Sequence, residues 1–190
     1  MNKYIFEKKN SIPKILCEKI ITMFDNEEIK YKGETVDGIN INVKDTTDFM
    51  ITKEKKWEDI NSFLENELEK NLKIYIDNID FVDNFKNTNL IPSKFLIQKY
   101  DQNKGKYIYH HDFALAVNDN MYRIITFLWY LNDVSLGGET EFFNGEIKII
   151  PECGKLILFP ASWTYPHTGC TPKSSDKYII TGWIYKSYNN

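Results

Sequence analysis

From about Lys94 to Tyr185 the chain is a succession of short runs, and a turn signal follows nearly every one. KFLIQKYD, KYIYHHDFAL, YRIITFLWYLN, ETEFF, EIKII, GKLILFP and KYIITGWIY are rich in β-branched and aromatic residues. Such residues suit a pleated, half-buried surface. Asn103–Gly105, Asn118–Asn120, Gly137–Gly138, Asn144–Gly145, Glu152–Gly154 and Pro172–Asp176 punctuate them. Many short strands with this punctuation predict a sandwich or barrel-like β core.

The first half reads differently. Ser11 is placed to cap a helix starting near Pro13, a residue tolerated in a first turn. Leu16, Ile20 and Phe24 then recur at fourfold spacing. A longer helical pattern runs from about Glu54 to Ile76, with Trp57, Ile60, Leu64, Leu68 and Leu72 as its apolar stripe. Stripes of this kind are core packing. Tyr31–Thr52 is polar, carries Gly33 and Gly38, and lacks helical period. It is read as short strands or a mobile loop, and it suits a substrate-covering segment and an ordinary connection alike. The expected class is mainly β with N-terminal helices (α+β). Residues 1–190 form one domain: 1–93 as helical support, 94–186 as the β core.

Composition narrows the function. A chain of 190 residues can bury a core without disulfide or metal staples. With a net charge of −3 and a single arginine, Arg123, it lacks the clustered bases that bind phosphate backbones. No nucleic-acid partner is expected. Cys17, Cys153 and Cys170 are odd in number and without CxxC spacing, which suits a reducing compartment, and Cys153 and Cys170 read as buried fillers. The opening MNKYIFEKKN is not a signal peptide, and no run approaches the length of a membrane span. The expectation is a soluble cytoplasmic protein without a membrane partner.

The histidines, His110, His111 and His167, all fall in β-like segments. A lone histidine is usually structural. In a strand, however, His110 and Asp112 would share a face, and one cation could take an imidazole nitrogen and a carboxylate oxygen. His111 would face the other way. His167 follows GKLILFP and would approach from across a barrel. Two histidines and a carboxylate suit a non-haem Fe(II) site, and equally a zinc site. Lys177 opens a strand expected to be buried, where an ammonium needs a partner. A dicarboxylic acid bound to the metal would supply one; snorkelling to solvent is the plain alternative.

HHD at 110–112, GGETEFF at 137–143, LFPASWTYPH at 158–167 and Lys177 resemble the Fe(II)- and 2-oxoglutarate-dependent dioxygenases, prolyl 4-hydroxylase type. The resemblance spans roughly Phe95 to Tyr185. It implies a double-stranded β-helix, a jelly roll of the cupin kind. It implies Fe(II) on His110, Asp112 and His167, with the distal carboxylate of 2-oxoglutarate on Lys177 and Tyr100. Thr140 and Trp183 would line the same pocket, and Tyr107 and Arg123 the peptide site. Dioxygen is the second cosubstrate, and ascorbate a further cofactor. The implied reaction hydroxylates a C–H bond, foremost of a prolyl residue in a peptide or protein, with release of succinate and CO2. A free amino acid or other small molecule is the alternative substrate. Two readings of other classes are a zinc hydrolase using Glu139 or Glu141 as base, and a non-catalytic binding module.

Overall fold

The structure, a computed structural model, describes residues 2–79, 89–116 and 119–187. In chain order the N-terminal elements are β1 (Phe6–Lys8), α1 (Lys14–Asp25), β2 (Tyr31–Lys32), β3 (Lys44–Asp45), β4 (Thr47–Met50) and α2 (Lys55–Asp77). Strands then follow one another: β5 (Leu90–Pro92), β6 (Leu96–Tyr100), β7 (Lys106–His110), β8 (Leu115–Ala116) and β9 (Met121–Tyr130). The series ends with β10 (Thr140–Phe142), β11 (Ile147–Ile149), β12 (Leu156–Pro160), β13 (His167–Gly169) and β14 (Lys177–Ser187).

The strands form two sheets in which every pairing is antiparallel. The larger has nine strands in the order β1-β12-β9-β14-β6-β4-β2, with β5 added to β14 and β8 to β9. The smaller has five, in the order β11-β10-β13-β7-β3. This is the expected jelly roll with helices on one outer face.

Period-2 alternation makes the larger sheet two-sided. Ile125, Phe127 and Trp129 of β9, Leu156 and Leu158 of β12, and Tyr178, Ile180 and Ile184 of β14 join one buried cluster with both helices. The intervening residues face the smaller sheet: Leu128, Tyr130, Ile157, Phe159 and Ile179 pack there with Phe142 and Ile149. The helices supply the first cluster through Cys17, Ile20 and Phe24 of α1 and Trp57, Ile60, Leu64 and Leu68 of α2.

Two local expectations change. Ser11 does not cap α1; Pro13 occupies the N-cap without a side-chain bond. The Ser11 hydroxyl instead donates to Glu67 (2.9 Å) and accepts from the Trp129 indole (3.0 Å), tying α2 to the sheet. At the end of α2 the buried face turns from Leu72, only partly covered, to Asn71 and Tyr75. A threefold step from Leu68 reaches Asn71 and a further fourfold step reaches Tyr75, and Asn71 is accommodated by donating to Glu67.

Tyr31–Thr52 contains three short strands, and residues 44–48 change sheets: β3 pairs with β7 and β4 with β6. Gly137 and Gly138 both adopt positive φ, as the turn before β10 requires. The turn expected at Asn118–Asn120 lies partly outside the described residues.

Candidate metal and cosubstrate site

A cavity of about 400 Å³ opens between the two sheets. Tyr100, Tyr107, His110, Asp112, Arg123, Thr140, His167, Lys177 and Trp183 all line it. One ligand-capable atom from each of His110, Asp112 and His167 lies within 4.8 Å of the others.

The route to that convergence differs from the sequence expectation. β7 ends at His110, and Asp112 follows in irregular backbone, so the pair does not share a strand face. His167 does not reach across the fold; it opens the adjacent strand β13 and pairs directly with His110. His111 is exposed and stands outside the cluster, at the cavity mouth.

Both imidazoles are oriented by backbone. Nδ1 of His110 lies 2.8 Å from the Ile108 carbonyl, and Nδ1 of His167 lies 3.1 Å from that of Tyr165. A carbonyl can only accept, so each Nδ1 carries its proton and each Nε2 presents a lone pair. Those Nε2 atoms stand 3.6 Å and 3.5 Å from the two Asp112 carboxylate oxygens. Thr126, from β9, donates to Asp112 at 2.7 Å and fixes the carboxylate. Tyr107 stacks on the His110 ring at 3.5 Å.

Electrostatics favour the ligating states. Burial, then the neighbouring His167, pushes His110 down to about 3 and keeps it neutral. For Asp112 burial acts upward, but His167, His110 and the Thr126 hydroxyl hold it below the usual carboxylate range. A neutral His110 and an anionic Asp112, with the His167 ring beside them and all three fixed from behind, fit a divalent transition metal with open positions.

Lys177 lies along the same cavity, 1% exposed, at the start of β14. Its Nζ donates to the Gly138 carbonyl (2.9 Å) and stands 4.0 Å from the centre of the Tyr100 ring. Among the described residues no carboxylate forms a salt bridge with it. Burial lowers its pKa to about 7. A buried cation without an anion is an attachment point for one. It does not snorkel.

Tyr100 pairs with Lys177 in the β6–β14 register, and Thr140 accepts from the Tyr130 hydroxyl at 2.6 Å. Trp183 shares the cavity-facing side of β14 with Lys177, but six residues of strand separate them by about 20 Å. It lines the same cavity, as the resemblance implied. Its ring carries the Arg123 guanidinium at 3.5 Å, and Arg123 also donates to the Tyr185 hydroxyl at 3.1 Å. Glu139 and Glu141, the candidate hydrolytic bases, do not line the cavity; Glu141 pairs with Lys148 instead. Strand alternation explains this, since their neighbours Thr140 and Phe142 point inward.

Two contributors escaped the sequence reading. Thr126 is separated from Asp112 by 14 positions, although its place in YRIITFLWYLN faces the cavity. The other is a buried set that joins the first half to β6. Lys44 pairs with Asp48 at 2.9 Å, and Thr46 and Gln98 also donate to Asp48. Nothing in YKGETVDGININVKDTTDFMIT announced a buried ion pair.

Comparisons with known proteins agree with this geometry. Residues 95–185 match the model of the 2OG-Fe(II) oxygenase superfamily. No curated protein sequence matches the chain. Among solved structures, a viral collagen prolyl hydroxylase from Paramecium Bursaria Chlorella virus-1, in its 2OG complex, superposes with TM-score 0.69 at 19% identity. The match covers 99% of this chain and 98% of that one. A prolyl hydroxylase from Trichoplax adhaerens, in complex with a hypoxia inducible factor peptide fragment, gives 0.73 at 19% identity over 97% and 84%. A Pseudomonas putida prolyl-4-hydroxylase gives 0.69 at 16% over 95% and 92%. At these identities the likenesses establish the fold.

Proposed function

We propose, from the premise that residues 95–185 make this chain a member of the 2OG-Fe(II) oxygenase superfamily, that it hydroxylates prolyl residues of a peptide or protein. The observation that carries the reading is one cavity holding both the His110–Asp112–His167 cluster and the buried, anion-lacking Lys177. His110, Asp112 and His167 would hold Fe(II). Lys177, with Tyr100 beside it and Thr140 nearby, would hold the far carboxylate of 2-oxoglutarate. When bound, iron, 2-oxoglutarate and dioxygen supply the oxidising power that hydroxylates an unactivated C–H bond, releasing succinate and CO2.

The chain's own residues do the rest. The Ile108 and Tyr165 carbonyls and the Thr126 hydroxyl hold the ligand side chains in place before any metal arrives. The core residues Leu128, Phe159 and Ile179 line the cavity and exclude water from it. Tyr107, Arg123 and Trp183 would form the substrate end. Prolyl hydroxylases recur among the structural neighbours, which favours proline over other substrates. The three thiols are free, as a reducing cytoplasmic setting would have them, and ascorbate would sustain turnover. No helix among the described residues is long and apolar enough to cross a membrane.

The test is mass spectrometry of a proline-rich peptide incubated with protein, Fe(II), 2-oxoglutarate and air, with succinate followed in parallel. The expected product gains one oxygen at proline, matched by succinate. Succinate without an oxidised peptide would move the substrate to a small molecule. Thr126→Val is expected to weaken iron affinity by about 10- to 100-fold, because Asp112 loses the hydroxyl that fixes it. Unchanged iron affinity in a titration would show that the carboxylate needs no such anchor.

A further inference from the structure

The mouth of the cavity has a charge pattern of its own. Of the basic groups lining the cavity, Lys177 and Lys44 are buried, and Arg123 is engaged by Trp183 and Tyr185. Glu34 and Asp37, by contrast, are exposed, and neither forms an ion pair among the described residues. Between them Val36 is 93% exposed, an apolar side chain with nothing to pack against. Ile108 and Phe113 line the same cavity and are also exposed.

The acidic tip is held in shape. Thr35 and Gly38 exchange backbone hydrogen bonds of 3.1 and 3.0 Å, and the Asp37 amide donates to the Thr35 hydroxyl. Gly33 donates to the Thr46 carbonyl at 3.0 Å. The Lys44 ammonium, paired with buried Asp48, reaches the Glu34 carbonyl at 3.4 Å. A buried ion pair contributes little net stability and is often kept for geometry. Here it anchors the turn that carries two unpaired carboxylates to the mouth.

We propose that this rim selects the substrate: a peptide with Lys or Arg flanking the reacting proline, its cations on Glu34 and Asp37 and its apolar atoms on Val36, Ile108 and Phe113. The proposal rests on the peptidyl reading above and adds the substrate's charge. Exposed ion pairs are individually weak, so the rim adds selectivity and encounter rate more than raw affinity.

The experiment uses three fluorescent proline peptides identical except for Lys, Gln or Glu flanks. Binding to the full chain is read by anisotropy, and oxidation by mass spectrometry. The Lys-flanked peptide is expected to bind about tenfold tighter than the Glu-flanked one at low salt, with the gap narrowing as salt rises. The double variant Glu34→Lys/Asp37→Lys should reverse the order. If that variant does not melt cooperatively, Glu34→Gln/Asp37→Asn should abolish the preference. Equal binding of all three peptides, tighter binding of the Glu-flanked one, or a preference untouched by either variant would overturn the proposal. Charge-selective binding without oxidation at proline would uphold the rim and sink the prolyl reading, so the two failures are distinguishable.

Discussion

His167→Ala is expected to remove iron-dependent succinate formation, with a loss of more than about a hundredfold. Disturbing a group behind a metal ligand already lowers affinity by about 10- to 100-fold, and deleting the ligand itself does more. The remaining His110 and Asp112 cannot close the cluster, because His167 supplies one of its two Nε2 lone pairs. The ring also packs against Phe159 and Phe142, at centroid distances of 4.8 and 5.5 Å, so alanine leaves a void. His167→Gln keeps most of that volume and separates lost ligation from lost packing. Bound iron and succinate should be near background in both variants, with only the alanine variant melting markedly lower. Full iron content in either one would refute the ligand role.

Lys177→Met is expected to raise the 2-oxoglutarate requirement by about 30-fold or more, the effect of truncating one member of a buried, hydrogen-bonded charge pair. The same variant should make the ligand-free protein more stable. Burial holds Lys177 near 7, well below its ordinary value of 10.5. Between those values the unfolded chain binds the proton and the folded chain does not, so this group's effect on stability improves as pH rises from about 7 to 10. Below pH 7 the folded protein carries the full penalty of a buried ammonium, and methionine removes it. Binding follows the opposite course. The fraction of free site holding a charged lysine falls about tenfold from pH 8 to pH 9, and 2-oxoglutarate affinity should fall with it. The methionine variant should lack that dependence. A wild-type affinity that stays flat across this range, or a variant that melts lower, would show that Lys177 is not the anion's partner.

The site was legible in the sequence where side-chain chemistry is rare and spacing short. Three histidines and a single HxD leave few ways to build a metal site, and an unpaired lysine in an apolar strand asks for an anion. Geometry was less legible. The pairing of His167 with His110 depends on which strands become neighbours, and no local pattern encodes strand order. The first half yielded its helices through their period and little else. The Lys44–Asp48 pair is two charged residues in a polar stretch until β3 and β4 are laid against β7 and β6.

The place of β14 in the larger sheet has a consequence for how the chain acquires its structure. It is the last described strand in order of synthesis, yet it lies between β9 and β6, and its inner face carries Lys177, Thr181 and Trp183. A chain emerging from the ribosome therefore has its helices, its sheet edges and the histidines of the candidate metal cluster before it has the strand that joins the two halves of the larger sheet. Until then the helices' apolar faces have only part of their sheet to cover, a condition that invites chaperone capture or aggregation. Lys177, the proposed cosubstrate anchor, arrives with the same segment that completes the sheet. On the proposed assignment, a nascent chain short of β14 would carry the candidate iron ligands without the lysine that would hold the far end of 2-oxoglutarate, and an incomplete chain would not be an active one.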